Sequence, residues 1–183
     1  MKDKLKYKTM AKQNFTLTQL KKHLTEKTQQ QLIIEIAELY KTFPQVKEYY
    51  QAQHTNIDDI AKKYKDIIIK EFGGTARSFP KARFSVARKA VNDFKKLTNE
   101  PAPVADVMLT YVESTSGFCS EYHPDGENYY VSPENMFIDT LRFMHKHQLL
   151  DKFEERAKSI ARNATEGWGH RDSLRDSYND FYE

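Results

Sequence analysis

Apolar residues along this chain return every three or four positions rather than every second one, and that period predicts helices almost throughout. Thr16 or Thr18 opens a short helix through Leu24. Thr28 and Gln31 form a capping pair, after which Leu32, Ile36, Leu39 and Phe43 recur at helical spacing. Pro44 stops that helix and starts the next, which runs through Tyr49 and Tyr50. Asn56 caps a further helix with a buried stripe of Ile57, Ile60, Ala61, Tyr64, Ile67, Ile68 and Phe72. Gly73 and Gly74 end it, since glycine enters the left-handed region at little cost.

The second half follows the same grammar. Pro80 opens a helix to about Leu97, and Pro101 and Pro103 open another that places Val104, Val107, Met108, Tyr111 and Thr115 on one side. Residues 117–131 read as irregular around a Pro124-Asp125-Gly126 turn. Ser132, Pro133 and Glu134 read as a helix start, followed by buried Met136, Phe137, Thr140, Leu141 and Met144. Leu149 and Leu150 lead into a helix carrying Phe153, Ala157, Ile160 and Ala164. After Gly167-Trp168-Gly169 a last helix presents Leu174, Tyr178 and Phe181. The expected fold is all-α: about nine short to medium amphipathic helices packed as antiparallel pairs, in an irregular bundle or a short superhelical array. No repeat of fixed spacing supports a named solenoid. Residues 1–10 read as a basic extension and residues 11–183 as a single helical domain.

Composition narrows the class. One cysteine among 183 residues excludes an intrachain disulfide and with it a disulfide-stapled secreted fold. The longest apolar runs, Leu32–Ile34 and Ile67–Ile69, fall far short of the roughly 20 residues that cross a bilayer. The basic start MKDKLKYKTM leads into polar residues rather than an apolar signal segment. A cytoplasmic protein without a membrane partner is expected.

The formal charge of +3 conceals an uneven distribution. Residues 1–27 carry +6, 28–59 carry −3, 60–97 carry +8 and 98–183 carry −8. On a helix over 80–97, Phe84, Ala90, Val91, Phe94 and Leu97 cluster on one side. Lys81, Arg88, Lys89, Asn92, Lys95 and Lys96 cover the opposite arc. That face is either solvated and neutralised by the acidic C-terminal half, or a strip for nucleic-acid phosphates. No zinc-finger, KH or RNA-recognition signature accompanies it. Arg83 projects onto the apolar side of the same helix. It needs a carboxylate from a neighbouring helix, or forms an anion site with Arg77 and the helix N-terminus.

Candidate chemistry is sparse. His145 and His147 lie about 200° apart on a helix and cannot share an ion. Cys119, Glu121, His123, Asp125 and Glu127 carry ligand atoms without zinc or calcium-loop spacing. Cys119 with His123 is a weak thiolate and base pair, and a buried inert thiol is the simpler reading. No metal and no cofactor is implied. In Glu166-Gly167-Trp168-Gly169-His170-Arg171-Asp172, either Trp168 plugs a helix junction, or Trp168, His170 and Asp172 wall a ligand pocket.

The stretches FTLTQLKKHL, LIIEIAELYKTFPQVKEYYQ, KARFSVARKAVNDFKKL and LLDKFEERAKSIARNATEGWGHRDSLRDSYNDFY occur in that order. Together they resemble an uncharacterised bacterial family of small helical proteins over about Ala11 to Tyr182. The resemblance implies a cytoplasmic all-helical domain and lends no activity; it draws attention to Arg83, Arg88, Asn92, Phe94, Trp168 and Asp172. The expected role is a helical scaffold or protein-interaction protein that binds a protein partner or itself. The alternatives are nucleic-acid binding through 80–97 and an enzyme or metal protein using 119–127 and 166–172.

Overall fold

Helix ends fall where side chains can replace missing backbone partners. In a computed structural model describing residues 15–74 and 78–183, nine α-helices follow one another among the described residues. They are α1 (Leu17–Thr25), α2 (Gln29–Thr42), α3 (Pro44–His54), α4 (Ile57–Phe72) and α5 (Phe84–Phe94). After them come α6 (Pro101–Tyr122), α7 (Glu127–Lys146), α8 (Leu150–Asn163) and α9 (His170–Tyr182). The basic residues 1–10 and Arg77 lie outside the described residues. Thr16 and Thr28 each accept from the backbone N–H three residues on, while Gln19 and Gln31 reach back to the capping residue's own N–H. Asn56 accepts from the Asp58 N–H at 3.0 Å. Pro101 and Pro103 remove donors that the first turn of α6 would leave unpaired.

The described residues fall into two units, divided after Lys47. In the first, α1 and α2 bury no residue. The second is an irregular all-helical bundle with antiparallel helix contacts around α6, which packs against α4, α5, α7 and α8. Twelve of the 22 residues of α6 are buried, so it has partners on most sides. Its Tyr111, Met108 and Leu109 meet a core that includes Ile68, Phe94, Phe137, Leu141, Met144 and Leu174. Each such large apolar side chain contributes about 1.5–3 kcal/mol on burial.

Four local expectations are corrected. The helix expected over 80–97 is shorter, because Ala82 adopts a positive φ of 49° and donates its N–H to the Glu71 carbonyl at 2.7 Å. Arg83 therefore sits ahead of α5 and turns to the end of α4, where it donates to both carboxylate oxygens of buried Glu71 at 2.8 and 2.6 Å. It has the carboxylate partner of one of the two readings.

The second correction concerns 117–131, most of which is helical: α6 continues to Tyr122, and α7 starts at Glu127 with Pro133 inside it. Proline at 133 leaves the Tyr129 carbonyl without its usual donor four residues on. The Cys119 thiol donates to that carbonyl at 3.4 Å, so a neighbouring helix fills the gap. Third, Gly73 is not left-handed (φ −78°). A Cβ on Gly74 would press on the Tyr122 hydroxyl, so that side chain would have to shift. Fourth, Ile67 is exposed rather than part of the buried stripe of α4.

A charged knot fastens α4 and α8 to α6. Arg156 donates to Glu113 at 2.5 and 2.7 Å and to Thr110 at 2.9 Å, and it also pairs with Asp106. Lys65 donates to the other Asp106 oxygen at 2.6 Å. Arg156→Met would keep the aliphatic stem but leave Asp106 and Glu113 short of a cation. The expected loss in urea unfolding is about 2 kcal/mol, below the roughly 3–5 kcal/mol of a fully buried pair because these side chains keep some solvent contact.

The same knot predicts a pH dependence. Burial opposes ionisation of Asp106, but hydrogen bonds from Lys65 and Arg156 outweigh it and hold its carboxyl below the usual range. A depressed folded-state value stabilises the fold above the unfolded value of about 3.9, and that contribution fades as pH falls through the folded one. The melting temperature should fall below about pH 4, and Asp106→Asn should flatten that fall while lowering stability at neutral pH.

Candidate functional site

The basic residues singled out by sequence do not form one array of free cations. Arg83 is committed to Glu71, and Arg88 donates to Ser132 Oγ at 2.9 Å, which lies 2.7 Å from the Tyr111 hydroxyl. Lys96 donates to Asp93 at 3.1 Å, and Lys89 pairs with the same carboxylate. Lys95 reaches over the Phe143 ring at 5.8 Å. Lys81 and Asn92 are exposed. The side of α5 thus mixes cations held by Asp93, a guanidinium turned toward α7 and two exposed polar groups.

The three residues proposed to wall a pocket separate. Trp168 is 57% exposed with φ 57°, a left-handed conformation that non-glycine residues adopt at a cost. It does not plug the helix junction. Asp172 is exposed and accepts from Arg175 at 2.9 Å. His170 alone goes inside, with no solvent exposure, against the edge of Tyr130 at 5.6 Å. The turn that delivers it is held by Arg171, which donates to the Ala164 carbonyl at 2.7 Å and to Glu166 at 2.6 Å.

Inside, His170 joins three helices. Its Nδ1 lies 2.8 Å from Glu134 Oε1 on α7, and its Nε2 lies 3.0 Å from Ser116 Oγ on α6. An ionised carboxylate only accepts, so it fixes the proton of a neutral imidazole on Nδ1. Nε2 is then the acceptor for the Ser116 hydroxyl. Ser116 also lines a cavity of about 200 Å³ with Glu113, Gly117, Ser120, Ser159 and Asn163. Ser120 is also on that lining, and its hydroxyl is buried without a hydrogen-bond partner. Sequence reasoning reached His170 but missed Ser116 and Glu134. The available signal was the series Thr110, Thr115, Ser116 and Ser120 in a helix with a long apolar stretch, because buried hydroxyls need partners.

The 119–127 segment is not a ligand loop. Burial, with the nearby charge of Glu134, pushes the Cys119 thiol up to about 12, so it stays protonated near neutrality. His123 ends α6 in a left-handed conformation, φ 43°. Among the described residues, no group of three or more His, Cys, Asp or Glu is placed to hold a metal ion, and no helix is long and apolar enough to cross a membrane.

Comparison with curated proteins found no match, and comparison with solved structures found none. One family model, described as "Family of unknown function (DUF6155)", matches residues 15–182. Spanning nearly the whole chain, that match makes this protein a member of the DUF6155 family.

Proposed function

We propose that this protein is a helical interaction protein whose N-terminal unit associates with a second copy of the chain. One observation carries the reading: no residue from 15 to 47 is buried, although Phe15, Leu17, Ile33, Ile34, Ile36, Leu39 and Phe43 are 40–67% exposed. Helices of nine and fourteen residues are marginal in water without an apolar surface to pack on. Leu32, Ile36, Leu39 and Phe43 share one side of α2, while Ile33 and Ile34 extend the apolar surface around the helix. A helix apolar on so much of its circumference belongs in an interior. Exposed apolar surface of this kind marks an interface.

Charge favours a second copy as the occupant. The +6 of residues 1–27 is opposite in sign to the −8 of residues 98–183, so another copy brings apolar surface and opposite charge together. Phosphate binding by residues 81–96 has less support, because Arg83, Arg88 and Lys96 already have partners within the chain.

Sedimentation velocity over a concentration series tests the reading. The full chain should shift from monomer to dimer. Ile33→Asp with Ile36→Asp should weaken the association constant by about tenfold or more, as expected for losing 1.4 kcal/mol or more of apolar burial. A wild-type chain that stays monomeric to its solubility limit overturns the proposal.

A further inference from the structure

The Ser116–His170–Glu134 relay is built wholly within the second unit and has the polarity of a nucleophile, a base and an orienting acid. Glu134 holds the imidazole proton on Nδ1, and Nε2 accepts from the Ser116 hydroxyl at 3.0 Å. The linked groups come from α6, α7 and α9, so the packed core fixes the pair from three directions. A buried relay with no opening would be a structural clasp. Here the serine end borders a cavity, and that cavity contains a second serine one helical turn on whose hydroxyl has no partner.

We propose that Ser116 is the nucleophile of an acyl-transfer site that cleaves small acyl esters. Ser116 Oγ attacks the acyl carbon while its proton passes to His170 Nε2. The bond from the acyl carbon to the leaving oxygen breaks, and that oxygen takes the proton from Nε2. Water then attacks the acyl group on Ser116. His170 accepts the water's proton and returns it to Ser116 Oγ as the carboxylic acid departs. Glu134 acts through the imidazole and is a positioning residue.

The lining of the cavity suits this chemistry. Rotation of the Ser120 side chain, whose buried hydroxyl has no partner within the fold, lets it donate to the developing oxyanion. Asn163 donates one amide hydrogen to Ser159 at 3.0 Å and keeps a second on the same group. Glu113 is the only carboxylate in the lining, and Arg156 holds both its oxygens. Its negative charge therefore opposes the transition state less. Gly117 is exposed on the lining, and a Cβ there would meet nothing within 4 Å. Glycine is a poor residue for a helix interior; packing does not explain it, whereas an open approach to Ser116 does. The pocket of about 200 Å³ is smaller than the roughly 300–1,000 Å³ of drug-sized sites and has room for an acetyl-sized group.

The test treats the full chain with methanesulfonyl fluoride, maps adducts by mass spectrometry, and follows p-nitrophenyl acetate hydrolysis. One adduct on Ser116 is expected, lost in Ser116→Ala together with the excess hydrolysis. Glu134→Gln should slow modification about 100-fold with the half-saturating reagent concentration unchanged. Gly117→Leu changes an exposed position, should keep the melting temperature, and should lose the adduct by closing the approach. A folded wild-type chain with Ser116 unmodified overturns the proposal, as does hydrolysis equal in wild type and Ser116→Ala. Ser116 modified in Gly117→Leu at the wild-type rate overturns it too.

Discussion

A helix enclosed by its neighbours cannot leave hydroxyls and carboxylates to water, and α6 is such a helix. Twelve of its residues are buried, against α4, α5, α7 and α8. Every polar side chain on its inner surfaces therefore imposes a condition on another element. Thr110, Thr115 and Tyr111 meet it cheaply: the two threonines bond carbonyls of their own helix, and Tyr111 joins Ser132. Asp106 and Glu113 need cations and recruit Lys65 from α4 and Arg156 from α8. Ser116 recruits His170, which is why the turn before α9 has to bring an imidazole inward. Packing and polar pairing thus specify the same arrangement of helices, the agreement between levels that gives a sequence one fold.

The same requirement separates the groups that only hold the fold from one that does not fit. Glu71 is matched by Arg83, and Asp106, although it also lines an open pocket with Lys152 and Phe153, by Lys65 and Arg156. Ser120 has a buried hydroxyl and no partner. A buried hydroxyl without a hydrogen bond costs about 1–3 kcal/mol. At the other end of the chain, α1 and α2 show the opposite excess: apolar surface without an interior.

Much of this was legible in the residues. Thr16, Thr28, Pro44, Asn56 and Pro101 mark helix starts by local chemistry, and local chemistry is what a sequence displays directly. The failures arose where a distant group decides. Ala82 takes a positive φ because the Glu71 carbonyl, eleven residues back, accepts its N–H, and this moved the start of α5. Pro133 reads as a helix start unless the Cys119 thiol is known to serve the Tyr129 carbonyl. The glycines around Trp168 drew attention to the correct turn, but the turn exposes the indole and buries the histidine.

The relay was illegible for the same reason in stronger form. Ser116 and Glu134 are 54 and 36 positions from His170, and no spacing rule links them. What a sequence does display is the need: Thr110, Tyr111, Thr115, Ser116 and Ser120 on the packed sides of α6 must each find a partner. The two threonines find one within their own helix, Tyr111 finds a serine and Ser116 a histidine on others, and Ser120 finds nothing. Counting partners along a buried helix therefore locates a site that motif spacing cannot, since a fold-holding hydroxyl and a ligand-facing hydroxyl differ in what remains unpaired once the chain has packed.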